Sequence, residues 1–283
     1  MNVEDVMTRR ADVVTVEVPG TREDALEYLQ TRKFSSVPAI KKTDNGEVFR
    51  GIVSRSSLIK RPNEDQLALL AEEVPSTTAD TSIADVAGLM LKESARRIPV
   101  LDGDELDGII TVTDIVRAIA RGEVDESIEV GTVSGDAVNC VYIGAPLPVA
   151  EREIAYAGVP YAVVLDDDGE MDGMLTEVDI IDVARVVEGE EETGESIANQ
   201  DDEWAWEGIK AVGNSYMPTR NVEIPVGPVE DFMTADVISV STKRPVKEVA
   251  QLMIENDIEQ IPIVSGGRLS GIVQDMDLLE ALR

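Results

Sequence analysis

The sequence has no histidine and a single cysteine, Cys140, in 283 residues. Without an imidazole there is no His-based catalytic triad, no His-ligated zinc and no side chain whose ordinary pKa lies near neutrality. One thiol excludes an intramolecular disulfide and Cys-x-x-Cys chemistry, and its apolar setting, AVNCVYIG, marks a buried structural residue. Positive charge is also scarce: 25 Lys and Arg stand against 56 Asp and Glu, for a formal charge of −31. Nucleic-acid binding needs clustered Lys and Arg, yet the densest positive spots are the pairs Arg9/Arg10 and Arg96/Arg97. Neither nucleic acid nor a membrane surface is an expected partner. Long apolar runs are missing, with no stretch of about 18 such residues to span a bilayer. The start, MNVEDVMTRRADVV, lacks a basic segment followed by an apolar run, so the expected location is the cytoplasm.

What is present is a globular composition, 43% hydrophobic. At about 150 residues per domain, the length implies roughly two domains. The positive residues divide into 8 Lys and 17 Arg, and aromatics make up 4%. This acidic, lysine-poor balance resembles cytosolic proteins of salt-in halophiles, whose carboxylate surfaces stay hydrated when molar salt screens their repulsion.

One pattern occurs four times. A short apolar strand leads to an amphipathic helix, a strand with an apolar residue before Pro, a turn, a strand opening at Gly, and a second helix. The Pro strands read SSVPAI (Pro38), RRIPVL (Pro99), GVPYAV (Pro160) and EQIPIV (Pro262). The Gly strands read GIVSRSSLI (Gly51), GIITVTDIV (Gly108), GMLTEVDII (Gly173) and GIVQDMDLL (Gly271). Pro-to-Gly spacings of 13, 9, 13 and 9 suggest two similar pairs, one with two and three with four. TDNGE, DGDE, DDDGE and SGGR are hairpin tips. The triple Asp166/Asp167/Asp168 belongs to one of these tips and reads as a solvated turn rather than a cation loop. Apolar residues at helical steps, such as Ile83/Val86/Ala87/Met90 and Val246/Val249/Ala250/Met253, predict helices with one face on a sheet. In the third copy the helix must start at Pro146 and Pro148.

An apolar-Pro-apolar strand, a turn, then Gly-h-h-[Ser/Thr]-x-x-Asp opening a helix, repeated about every 60 residues, resembles the cystathionine-beta-synthase (CBS) domain. VEDVMT (3–8) and VEDFMT (229–234) resemble the usual entry to such a repeat. The resemblance implies an α/β (α+β) fold of four β-α-β-β-α repeats at 1–62, 63–123, 124–187 and 229–283, packed through their sheets into two Bateman modules. Residues 188–228 form an insert that contains both tryptophans, Trp204 and Trp206, and reads as a linker or as a lid or partner-docking segment.

In the resembled family the cleft between paired repeats holds adenine nucleotides or adenosyl compounds, and the motif's Ser/Thr and Asp face it. A carboxylate is acceptor-only and suits the two donors of a ribose diol, while a helix N-terminus favours anions. The same spacing is also a capping box, which needs no ligand. Thr111/Asp114 and Thr176/Asp179 carry the full motif. Repeat one has Ser54 but Ser57 in place of Asp, and repeat four has Asp277 but Gln274 in place of Ser/Thr. Arg96 and Arg97, ahead of Ile98-Pro99, resemble the phosphate-binding basic pair in the gamma subunit of AMP-activated protein kinase. Bidentate phosphate binding and salt bridges with nearby carboxylates are both open readings of the pair. Arg117, one turn after Asp114, is placed to join the same pocket. Aligned on the prolines, the third and fourth repeats offer Ala157/Gly158 and Glu259/Gln260 instead. The first module is therefore the expected site for AMP or ATP, and the second is expected either to take a less charged adenosyl ligand such as S-adenosylmethionine or to be structural.

The expectation is a regulatory protein rather than an enzyme, requiring no cofactor, with adenine nucleotide or S-adenosylmethionine as its signal. A homodimer and a further protein partner, not identified by the sequence, complete it. The alternative is a ligand-free structural or oligomerisation module.

Overall fold

The computed structural model describes residues 1–31, 36–44, 46–54, 57–58, 61, 64–122, 128–135, 137–183, 185–189 and 219–283. The tryptophan pair lies outside them. Strands β1 (Thr8–Arg9) and β2 (Val16–Glu17) lead to helix α1 (Arg22–Thr31) and the hairpin β3 (Ser36–Thr43)–β4 (Gly46–Ser54). One helical turn, α2 (Leu67–Leu70), precedes α3 (Ile83–Glu93), β5 (Arg97–Asp102), β6 (Glu105–Thr111) and α4 (Val112–Ala120). The third copy comprises β7 (Cys140–Tyr142), α5 (Leu147–Ala157), β8 (Tyr161–Leu165), β9 (Met171–Thr176) and α6 (Glu177–Val183). After the antiparallel pair β10 (Arg185–Gly189) and β11 (Thr219–Glu223) come α7 (Val246–Asn256), β12 (Gln260–Ser265), β13 (Arg268–Gln274) and a 3-10 stretch, Asp277–Leu282. β10 and β11 thus bring together the flanks of residues 190–218. No helix among the described residues is long and apolar enough to cross a membrane.

The helix starts follow their caps. Ser82 Oγ accepts from the Asp85 N–H at 3.1 Å, while α5 and α7 begin at Pro146 and Pro245, whose fixed φ suits a helix entrance. The hairpin tips carry glycines with positive φ, Gly103 (61°), Gly169 (76°) and Gly266 (61°).

The chain divides into two parts: residues 1–135, 240–263 and 272–283 in one, 136–239 and 264–271 in the other. In the first part, α1, β2–β4 and α2 surround their own apolar cluster, which includes Ala25, Leu29, Val37, Val53 and Leu67. The second and fourth copies share a single core. There α4 packs on α7, α3 packs on Asp277–Leu282, and Ala87, Ile115, Ile119, Val249, Ala250 and Leu278 are buried together. The sheets of the first two copies meet through β4 and β6, where Phe49 N–H donates to the Asp104 carbonyl at 2.8 Å. In the second part, Leu147, Ile154, Ala162 and Leu175 of the third copy are buried together with Val229 from the start of the fourth.

Each of the four sheets built from a Pro strand and a Gly strand is met at its edge by a segment from another copy. β1 pairs antiparallel with β6, Thr8 opposite Ile109. Glu72 exchanges two backbone hydrogen bonds with Ile52, each 3.0 Å. Thr234 does the same with Met174 at 2.9 Å, and Gly135 bridges Ile272. The opening glycine of the Gly strand is where these segments pass. A Cβ on Gly51, Gly108 or Gly173 would stand 2.6, 2.5 or 2.9 Å from the carbonyl oxygen of Glu72, Thr8 or Thr234. The motif's glycine is thus dictated by close backbone approach.

One register differs from expectation. Arg97 lies opposite Thr111, Ser36 opposite Ser54 and Tyr161 opposite Thr176, so Tyr161 is the counterpart of Arg97. Pro160 therefore matches Arg96, not Pro99, and the positions equivalent to the arginine pair are Pro160/Tyr161 rather than Ala157/Gly158. The shared 13-residue spacing has different causes: a longer hairpin in the first copy, and in the third a proline displaced by three residues together with a hairpin one residue longer than that of the second copy.

Candidate functional site

The strand-to-helix corner after each Gly strand has the same local build. In the second copy Thr111 N–H and Oγ1 donate to Asp114 Oδ2 at 3.0 and 2.7 Å, and the Asp114 N–H donates back to Thr111 Oγ1 at 3.3 Å. In the third, Thr176 N–H and Oγ1 donate to Asp179 Oδ2 at 2.8 and 2.7 Å. These are capping boxes, each satisfying two N–H groups at a helix start. In the first copy Ser57 replaces the carboxylate without loss of geometry. Ser54 N–H donates to Ser57 Oγ, and Ser57 N–H to Ser54 Oγ, each at 2.9 Å. In the fourth, Gln274 N–H donates to Asp277 Oδ2 at 2.7 Å, and the side-chain half of the box is absent because Gln274 has no hydroxyl. All four corners close; only the second, third and fourth present an anion.

Arg117 distinguishes the second corner. Its Nη1 lies 3.2 Å from Asp114 Oδ1, so both oxygens of that 10%-exposed carboxylate have partners inside the chain. The residue at this helical position is Asp182 in the third copy and Glu280 in the fourth. Asp277, with Asp275 and Glu280 nearby, is held above the ordinary carboxylate range, chiefly by burial, although the Gln274 N–H works in the opposite direction.

The arginine pair faces two ways. Arg96 donates from Nη1 to Asp275 Oδ1 at 3.0 Å and from Nη2 to Asp275 Oδ2 at 2.7 Å, a bidentate pair, with Glu259 Oε1 3.1 Å from the same Nη2. Burial works against the charged guanidinium, yet the Asp275 and Glu259 carboxylates outweigh it and raise the Arg96 pKa. Arg97 Nη1 donates to Ser36 Oγ at 2.8 Å, joining equivalent positions of the second and first copies. Burial, then the charge of Arg96, lowers the Arg97 pKa. Ile98 and Pro99 are buried, and the Ile98 side chain belongs to the shared core.

The fold therefore brings Arg96 and Arg97 together with Ser36, Glu259 and Asp275. It keeps Thr111, Asp114 and Arg117 as one cluster, and Thr176 with Asp179 as another in the second part of the chain. Asp275 was not among the residues expected from sequence. One signal was available: in frame it matches Val112, which is 1% exposed, and a carboxylate at a buried position requires a partner.

The CBS-domain family model matches residues 3–64, 68–121 and 229–283. A solved protein from Pyrococcus horikoshii, described as an uncharacterized conserved protein, is 26% identical with a TM-score of 0.71, each chain covered in full. MJ1225 of Methanocaldococcus jannaschii, described as a candidate archaeal homolog of g-AMPK, has a TM-score of 0.67 with 19% sequence identity over the superposed chains, again with full coverage. In a sequence comparison MJ1225 is 23% identical over 95% of this chain and 94% of its own. MJ1404 of the same organism is 25% identical over 98% of this chain, which spans 61% of that relative's length. CBSX2 has been solved with AMP, and the CBS pair of MJ0100 with 5′-methylthioadenosine and S-adenosyl-L-methionine.

Proposed function

Since the chain belongs to the CBS-domain family, we propose that it is a non-enzymatic regulatory protein that binds an adenosyl ligand between paired repeats and passes the bound state to a protein partner. In this reading residues 124–187 are a fourth CBS repeat beside the three matched segments, and the four form two pairs. The observation that carries it is the repeated corner in which a backbone-anchored carboxylate, Asp114 or Asp179, is held at a helix start where a ribose diol finds an acceptor. Adenine nucleotides and S-adenosylmethionine are the candidate ligands, and the cytoplasm of a high-salt cell is the setting its acidity fits.

The full chain in molar KCl is expected to gain thermal stability with at least one of adenosine, AMP, ATP and S-adenosylmethionine, since a ligand that binds only the folded state stabilises it by mass action. Asp114→Ala and Asp179→Ala should each reduce that gain. No shift with any of the four, at concentrations up to the millimolar range, would overturn the reading.

A second reading, a structural module without ligand, draws on one specific feature. Both oxygens of Asp114 are already satisfied, Oδ2 by Thr111 and Oδ1 by Arg117. Arg117→Ala separates the two readings. On the regulatory reading it frees Oδ1 and tightens nucleoside binding; on the structural one it only weakens the helix.

A further inference from the structure

Asp275 does more than the fold requires at its position. The second copy closes the same corner with Val112, whose N–H donates to the Arg96 carbonyl at 3.0 Å as that of Asp275 donates to the Glu259 carbonyl at 2.9 Å. The Asp275 side chain is 6% exposed, accepts from two Arg96 nitrogens and takes a third hydrogen bond from the Met276 N–H at 2.8 Å. Two carboxylate oxygens on the guanidinium fork reproduce the arrangement in which an arginine takes two phosphate oxygens. Glu259 adds a second negative charge on the same Nη2.

We infer that Asp275, assisted by Glu259, is an internal anion lodged on Arg96, and that it determines ligand specificity by denying phosphate the guanidinium edge that it occupies. Two carboxylates neutralise the charge of Arg96 and leave a local excess of negative charge toward any incoming phosphate. A phosphorylated ligand reaches Arg96 only by displacing Asp275, which loosens the contact between the second and fourth copies that the pair spans. The unmodified protein thus favours an uncharged nucleoside over its phosphorylated form. The inference uses the proposed function for the nucleoside but not for the anion site itself.

The test uses the full chain at one fixed KCl concentration, with tripolyphosphate and adenosine titrated separately by calorimetry. Asp275→Asn preserves shape and removes the charge. It is expected to raise tripolyphosphate affinity roughly tenfold or more, the range that one or two charge-assisted bonds supply. Adding Arg96→Ala to that variant should cancel the gain. Unchanged tripolyphosphate affinity in a folded Asp275→Asn protein, or a gain that survives Arg96→Ala, would overturn the inference. Should Asp275→Asn fail to fold, Glu259→Gln gives the same reading: a severalfold gain supports the internal anion and no gain refutes it. If tripolyphosphate shows the gain while adenosine binds no variant, the anion site stands and the adenosyl function falls.

Discussion

A Cβ on Gly108 would stand 2.5 Å from the Thr8 carbonyl oxygen and 3.1 Å from Met7 Sδ, whereas one on Gly88, inside α3, would meet nothing within 4 Å. Gly108→Ala must push β1 off the sheet edge and should cost about 1–3 kcal/mol, as overpacked sites do. Gly88→Ala should stabilise the protein by about 0.5–1 kcal/mol by removing helix-interior glycine entropy. Urea denaturation midpoints of the two variants are expected to move in opposite directions. Asp277 supports a prediction in pH. Its folded-state pKa is raised, first by burial, so the fold binds that proton more tightly than the unfolded chain does. Stability from this group is therefore lost as pH rises through the carboxylate range and present below it. Asp277→Asn should gain stability relative to the unmodified protein at pH 7 and lose that advantage as pH falls toward about 4. Chemical denaturation at a series of pH values measures the difference.

Helix by helix, one position sets the third copy apart from the two copies that share a core. Counted from their caps at Ser82, Pro146 and Pro245, α3, α5 and α7 carry Ala87, Glu151 and Ala250 at the same place. Ala87 and Ala250 are completely buried in the shared core. Ala87→Glu, which installs the third copy's residue, buries a charge without a designed partner. It is expected to cost several kcal/mol and to lower the melting temperature steeply. These helices were legible in the sequence because their signals are local: apolar steps of three and four, prolines at the starts of α5 and α7, and four corners closed by residues three apart. The hairpins were legible for the same reason. Pro160 misled because the sequence marks a proline but not its register, and only the pairing of Tyr161 with Thr176 reveals the displacement.

At the scale of the molecule, what escaped the sequence is what lies far apart in it. Arg96 and Asp275 are 179 residues apart, and nothing in RRIPVL or QDMD points one to the other. The meeting of β1 with β6 was equally hidden, although Gly108 carried its trace. Because Ala87, Ile115 and Ile119 are buried in a core shared with residues 240–283, a fragment limited to 1–135 exposes that apolar face. Such a fragment is expected to self-associate through it, and Ala87→Glu should suppress the association. Light scattering of the two fragments after gel filtration decides the point.

The exchanged edge segments also set a timetable for synthesis. Residues 129–135 leave the ribosome well before the strand they complete, since Ile272, the partner of Gly135, is 137 residues further on. At about 5–20 residues per second that delay is roughly 7–27 s, during which the segment has no strand to join. By contrast, Glu72 finds Ile52 already made, 20 residues behind it. The first sheet can therefore close soon after its strands are made, whereas the fourth must wait for a strand made more than a hundred residues after the segment that closes it. The heavy negative charge of the nascent chain helps to keep the waiting edge from pairing with another molecule in the interval.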